Sequence, residues 1–205
     1  MADTSAAPTP RSLDAPRVLI AEDEAIIRLD LKEMLEEEGF EVVGEAADGD
    51  AAMRLAAERT PDLVIMDIKM PGTDGLTAAE SIVSDDLAAV LILTAFSQKD
   101  LVKRAAEAGA MGYLVKPFQK SDLLPAIEIA LARHQQMSSV KAESESLEKQ
   151  LETRKLVDRA KGRLIDSEGM SEADAFRHIQ KRAMNERISM AQVATDILEG
   201  PIEPG

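Results

Sequence analysis

The sequence predicts an α/β protein, a doubly wound five-stranded parallel sheet, followed by a helical linker and a small all-α three-helix domain. Three observations predict it. From Arg17 onward, five short aliphatic or β-branched runs alternate with segments of helical period. The runs are apolar almost throughout, as strands covered on both faces are, whereas surface strands alternate with polar residues. Beyond Arg154 the strand-like runs cease and three amphipathic helical patterns take their place.

Taken in order, residues 1–16 hold Pro8, Pro10 and Pro16 among small polar residues and are expected to form a disordered arm. The predicted strands are 17–21 (RVLIA), 41–46 (EVVGEA), 62–66 (DLVIM), 89–94 (AVLILT) and 111–115 (MGYLV). Helical segments fall between them at about 24–38, 49–59, 74–84 and 97–108, and a fifth starts near Ser121. These units define a domain over 17–134. The helical pattern of Leu124, Ile127 and Leu131 runs on through a linker, 135–153. There Met137, Val140, Ser144, Leu147 and Leu151 repeat at three- and four-residue spacings, either a short coiled-coil seam or a solvated helix. In 154–198 the apolar faces are Val157, Ala160, Leu164, Ile165; then Ala175, Phe176, Ile179, Ala183; then Met190, Val193, Ala194, Ile197. Gly169 is the predicted stop of the first helix, while Ser171 (with Asp174 three residues on) and Ser189 are predicted caps of the next two. Residues 199–205 form a tail.

Composition excludes several function classes. Without cysteine there is no disulfide, thiolate metal site or cysteine nucleophile, and two histidines cannot build a histidine cage, so any metal binds oxygen. No apolar run approaches the ~18 residues that cross a bilayer, and the first sixteen residues lack a hydrophobic signal core, so a cytoplasmic protein is expected. The net charge of −14 is unevenly spread. Residues 1–140 carry 13 basic and 25 acidic side chains, whereas 154–187 carry nine basic and six acidic. Only the second stretch suits a phosphate-rich partner.

In open parallel sheets, ligands bind at the carboxyl ends of the strands where strand order reverses. The residues expected there are Glu22, Asp23 and Glu24 after the first strand, Asp67 after the third, Thr94 at the end of the fourth and Lys116 after the fifth. Crowded carboxylates repel unless a cation lies between them, and an all-oxygen site with open positions suits Mg²⁺ beside a phosphoryl group. Phosphoryl transfer follows, with Asp67 as carboxylate nucleophile and Lys116 and Thr94 binding phosphoryl oxygens. Gly72 and Gly75 would supply the turn that leaves Asp67 accessible. Each residue also has an ordinary structural role, as cap, helix N-terminus or surface lysine. Their joint occurrence at the ends of the correct strands carries the argument.

Glu22-Asp23, "MDIKMPGTDG" around Asp67, "LTA" at 93–95 and "YLVKPF" at 113–118 together resemble the response-regulator receiver domain. That resemblance implies Asp67 as phosphoacceptor for a sensor histidine kinase. It also implies Mg²⁺ held by Asp23, Asp67 and the Lys69 carbonyl with Glu22 acting through water, a cis Lys116-Pro117 peptide, and a Thr94–Tyr113 activation switch. Glu22 departs from the aspartate that many receivers carry.

Lys155, Arg159 and Arg163 fall at i, i+4 and i+8 on the first C-terminal helix, and Arg177/Lys181 and His178/Arg182 repeat the spacing on the second, a pattern that a solvated face also explains. Phe176 is assigned to the apolar stripe, so no basic–aromatic interleaving is read. "AKGRLI" (160–165), "MSEADAFRHIQKRAM" (170–184) and Val193-Ala194 resemble the ANTAR domain, an RNA-binding antitermination module. The whole chain is similar to phosphorylation-dependent antitermination regulators. The resemblance implies binding to hairpin RNA, with Arg159, Lys161, Arg163, Lys181 and Arg182 as the expected contacts, and a homodimer on phosphorylation is a further expectation. Two other classes share some of these features. A haloacid-dehalogenase-type hydrolase places its nucleophile on the first strand with a second aspartate two positions on, and here the third strand precedes Asp67 and position 69 is lysine. A phospho-regulated adaptor that contacts only proteins is the remaining alternative.

Overall fold

The computed structural model describes residues 15–95 and 99–200, except for the side chains of 99–101. Residues 1–14 of the expected arm and 201–205 of the tail lie outside the described residues, as do 97 and 98, where the fourth helix was expected to begin. The chain divides into two compact units, residues 1–137 and 138–205.

The first unit carries β1 (Arg17–Ala21), α1 (Ala25–Glu37), β2 (Glu41–Ala46), α2 (Gly49–Arg59), β3 (Leu63–Asp67) and α3 (Gly75–Ser84). It continues through β4 (Ala89–Thr94), α4 (Lys99–Glu107), β5 (Gly112–Val115) and the start of α5 (Lys120–Glu168). All strand pairs are parallel, in the order β2-β1-β3-β4-β5. Alternate residues of β1, β3 and β4 enter two separate cores. Leu19, Val64, Met66, Val90 and Ile92 pack under α2 and α3 with Ala52, Ala56 and Ile82. Val18, Ile20, Leu63, Ile65, Leu91 and Leu93 pack against Leu31 and Leu35 of α1 and Leu123, Ile127 and Ala130 of α5. Burial on both faces is the reason these strands read as unbroken apolar runs. The stripe on α5 is anchored by Leu123, which is fully buried, while Leu124 is only partly so.

Strand order reverses at β1, whose two neighbours are β2 and β3, so the crevice opens at the carboxyl ends of β1 and β3. The register sets Ala21 beside Met66, Asp67 beside Leu93 and Thr94 beside Val115, which lines up the candidate residues along one rim.

In the second unit the linker and the first predicted helix are one element, because α5 runs unbroken to Glu168. It stops where Gly169 adopts φ +67, a left-handed conformation that glycine takes without Cβ strain. Then come α6 (Glu172–Glu186) and α7 (Met190–Glu199). Ser171 caps α6 by accepting from the Asp174 N–H, and Ser189 caps α7 by accepting from the Gln192 N–H. Val157, Ala160, Leu164, Ala175, Ile179, Ala183, Val193 and Ala194 form the buried core. Two residues assigned to the apolar faces fall outside it, Ile165 and Phe176, both exposed at the flank of their helix's buried arc. Among the described residues no helix is long and apolar enough to cross a membrane.

Candidate phosphoryl site and polyanion-binding surface

The loop after β1 turns into α1 at Glu24, placing Glu22 at the strand end and Asp23 in the loop. Glu22 is fully buried and Asp67 nearly so, whereas Asp23 is exposed. One carboxylate oxygen from each of the three lies within 4.8 Å of the others. Lys116, delivered by the end of β5 and a cis Lys116-Pro117 peptide, reaches back among them. Its Nζ is 2.5 Å from Glu22 Oε2 and 3.3 Å from Asp67 Oδ2. Arg28 of α1 donates to the Glu22 carbonyl at 2.5 Å, so the first turn of α1 grips the loop that presents the acids.

Burial pushes the Asp67 carboxyl above its usual range, the Lys116 charge pulls it back, and Asp23 raises it further. Glu22 is raised for the same first reason, with its hydrogen bond to Lys116 opposing and the Asp67 charge adding. The cluster is thus held at an electrostatic cost that a divalent cation relieves, and three convergent carboxylate oxygens fit an oxygen-seeking cation. Asp67 opens into a cleft of about 300 Å³ whose lining includes Asp23, Lys69, Thr94, Ala95 and Lys116. The structure therefore brings together the residues expected at the rim, Glu22, Asp23, Asp67, Thr94 and Lys116, with Lys69 beside them.

Of the two turn glycines, Gly72 does adopt a left-handed φ of +74. Gly75 acts differently, since a Cβ there would meet the Asp67 carbonyl oxygen at 1.8 Å. Only a glycine lets the first turn of α3 pack directly behind Asp67, where its N–H donates to the Ile68 carbonyl at 2.9 Å. Asp74 caps that turn by accepting from the Leu76 and Thr77 N–H groups, both at 3.0 Å. Tyr113 on β5 is 49% exposed and Thr94 is buried.

The five cations expected to contact RNA on the C-terminal unit fall into two groups. Arg159 and Lys181 are exposed. Lys161 bonds Asp158 at 2.8 Å and Glu172 at 3.0 Å, and Arg182 pairs with Glu186 at 2.9 Å and Asp196 at 3.5 Å. Arg163 donates to the Leu198 carbonyl and, at 2.5 Å, to the Gly200 carbonyl. These are terminal carbonyls of α7, which lack helical partners and sit at the negative end of its dipole, so Arg163 closes the bundle. Helical spacing could not reveal this, because the partner lies 35 residues away.

Fold, rim and sequence now converge. Residues 18–128 match the family described as response regulator receiver domain, and residues 145–198 match the ANTAR domain. The chain belongs to the response regulators that join a receiver to an ANTAR domain. It is 58% identical to the transcriptional regulatory protein PdtaR of Mycobacterium tuberculosis over 183 residues, 89% of each chain. It is 44% identical to the chemotaxis protein CheY of Bacillus subtilis, across 57% of this chain and 98% of that one. Among solved structures, the receiver domain of a modulated diguanylate cyclase from Desulfovibrio desulfuricans superposes with a TM-score of 0.57 at 30% identity, covering 60% of this chain and 99% of that one.

Proposed function

We propose that this response regulator is phosphorylated on Asp67 by a sensor histidine kinase and controls gene expression by binding hairpin RNA in transcription antitermination. The observation that carries the first half is the convergence of Asp67, Lys116 and Thr94 on one cleft beside the carboxylates of Glu22 and Asp23. The family match of residues 145–198 supports the second.

In this reading the Asp67 carboxylate attacks phosphorus and forms an acyl-phosphate bond as the bond to the donor group breaks. Lys116 shifts from Glu22 and Asp67 to a phosphoryl oxygen, and the Thr94 hydroxyl donates to another. Asp23, Asp67 and the Lys69 carbonyl, with Glu22 through water, would hold Mg²⁺, which would supply charge neutralisation at the phosphoryl oxygens. The movement of Thr94 toward the phosphoryl group frees space into which Tyr113 turns from its exposed position. Arg159 and Lys181 are the contacts best placed for RNA phosphates. Lys161 and Arg182 share their donors with carboxylates, and Arg163 serves chiefly to hold α7. The chain is a phosphoacceptor regulator acting in the cytoplasm, with no substrate beyond the phosphoryl group it accepts and loses.

The test is incubation with a small phosphodonor and Mg²⁺. One acid-stable, base-labile phosphoryl group is expected per chain, absent in Asp67→Asn and absent with a chelator, and the emission of Tyr113, the only tyrosine in a chain without tryptophan, is expected to change with it. Labelling retained in Asp67→Asn removes the site assignment.

A further inference from the structure

Phe176 is the only Phe, Tyr or Trp after Phe118 in the sequence, yet it is 42% exposed on a unit whose core is small enough to gain from every apolar ring it buries. It lines a groove of about 580 Å³, together with Val157 and Met190 at the apolar side and Lys149, Arg154 and Lys161 at the polar side. That volume lies within the roughly 300–1,000 Å³ of small-ligand pockets. Lys161 is taken up by Asp158 and Glu172 at 2.8 and 3.0 Å, and Asp158 is the one acidic residue in the lining. Lys149 and Arg154 are exposed and form no salt bridge among the described residues, although the Arg154 charge helps to lower the Asp158 carboxyl. The groove therefore offers an aromatic face beside two cations, on a chain whose net charge is −14.

We infer that this groove is a pocket for one unpaired RNA base, stacked on Phe176, with Lys149 and Arg154 on the flanking phosphates. The inference rests on the RNA-binding reading above and names the subsite that distinguishes a loop from a paired stem. A planar ring exposed next to cations is the arrangement that takes splayed bases, because every base has a π-face and carries a phosphate on each side. Gln150, Thr153 and Ser146 add hydrogen-bonding groups along the same wall, suited to a base edge. A second copy of the chain fits less well. The exposed Leu147 and Leu151, which an apolar partner helix would cover, do not line the groove.

The experiment uses the full chain, with and without phosphodonor and Mg²⁺, and a stem-loop RNA selected by the wild-type protein from a pool with randomised loops. Each loop base is then made abasic in turn, and affinities are measured for wild type, Phe176→Leu and Phe176→Tyr. One abasic position is expected to weaken wild type roughly 5- to 150-fold, the range of a stacked base. Phe176→Leu should show that loss already with the intact loop and lose nothing more at the abasic position, while Phe176→Tyr, which keeps the ring, binds as wild type. Lys149→Ala/Arg154→Ala should lower the salt slope of binding by about 1–2. If Phe176→Leu binds the intact loop as wild type does, or if the two losses add, the base pocket is wrong while the RNA reading stands. If Phe176→Leu shifts the sedimentation of the protein without touching RNA affinity, the groove is a protein interface and the inference fails. If the wild-type protein enriches no RNA, the RNA reading and this inference fall together.

Discussion

Replacing Lys116 with methionine removes the ammonium that stands between two buried carboxylates, at 2.5 Å from Glu22 and 3.3 Å from Asp67. At an effective dielectric of about 20 these contacts are worth ~6.6 and ~5 kcal/mol in gross Coulomb energy, most of it offset by the desolvation of all three groups. What the variant exposes is the uncompensated charge of Glu22, and stranding a buried ionic partner costs about 3–5 kcal/mol. For a domain of this size that lowers the receiver transition by roughly 10–20 °C. Calorimetry in chelator at pH 7 reads it directly. The sign with pH is fixed. Burial already pushes Glu22 above its ordinary 4.5, and loss of Lys116 pushes it further. Stability associated with protonated Glu22 is present below 4.5 and lost as pH rises through the raised folded value, so the gap between variant and wild type widens from pH 4 to pH 7. Glu22→Gln/Lys116→Met should recover most of the loss. A variant within about 2 °C of wild type at pH 7, or a gap that does not change with pH, refutes the claim that Lys116 holds a buried carboxylate in the metal-free state.

Gly75→Ala forces a Cβ against the Asp67 carbonyl, so urea unfolding should show about 1–3 kcal/mol of destabilisation, and slower phosphoryl incorporation should accompany it because Asp67 is displaced. Arg163→Ala leaves the carbonyls at the end of α7 without their donor. It should raise amide exchange in α7 and leave the salt slope of RNA binding where it is, whereas Arg159→Ala/Lys181→Ala should lower that slope by about 2.

Much of the receiver was legible because its strands are buried on both faces. Continuous runs such as Leu63–Met66 and Ala89–Leu93 leave no other reading, and their ends fix where Asp67 and Thr94 fall. The caps were legible for a local reason: Ser171, Ser189 and Gly169 act on backbone groups within a few residues. Features set by distant partners were not. Spacing places Arg163 on a polar arc but cannot see the end of α7, and it assigns Phe176 to the stripe of Ala175 and Ile179 because one residue of helical rotation decides between core and groove. The role of Gly75 was half legible, since the motif shows a glycine and only the packing shows that the Asp67 carbonyl is what excludes a side chain. The continuity of α5 followed the unbroken pattern after Ser121, but the sequence gives no mark at 153/154 to say that linker and bundle share one helix.

The proposed function requires that a phosphoryl group on Asp67 control RNA binding by the C-terminal unit. Phosphorylation adds roughly −1.5 to −2 charge to an already acidic chain, which by itself opposes RNA binding, so any gain must come from rearrangement or from pairing two copies. The most direct measurement is a titration of paired-hairpin RNA with wild type and Asp67→Asn, each with phosphodonor and Mg²⁺, at two salt concentrations. Tight, salt-dependent binding by phosphorylated wild type and weak binding by Asp67→Asn are expected. Equal affinity of the two proteins would contradict the proposed function.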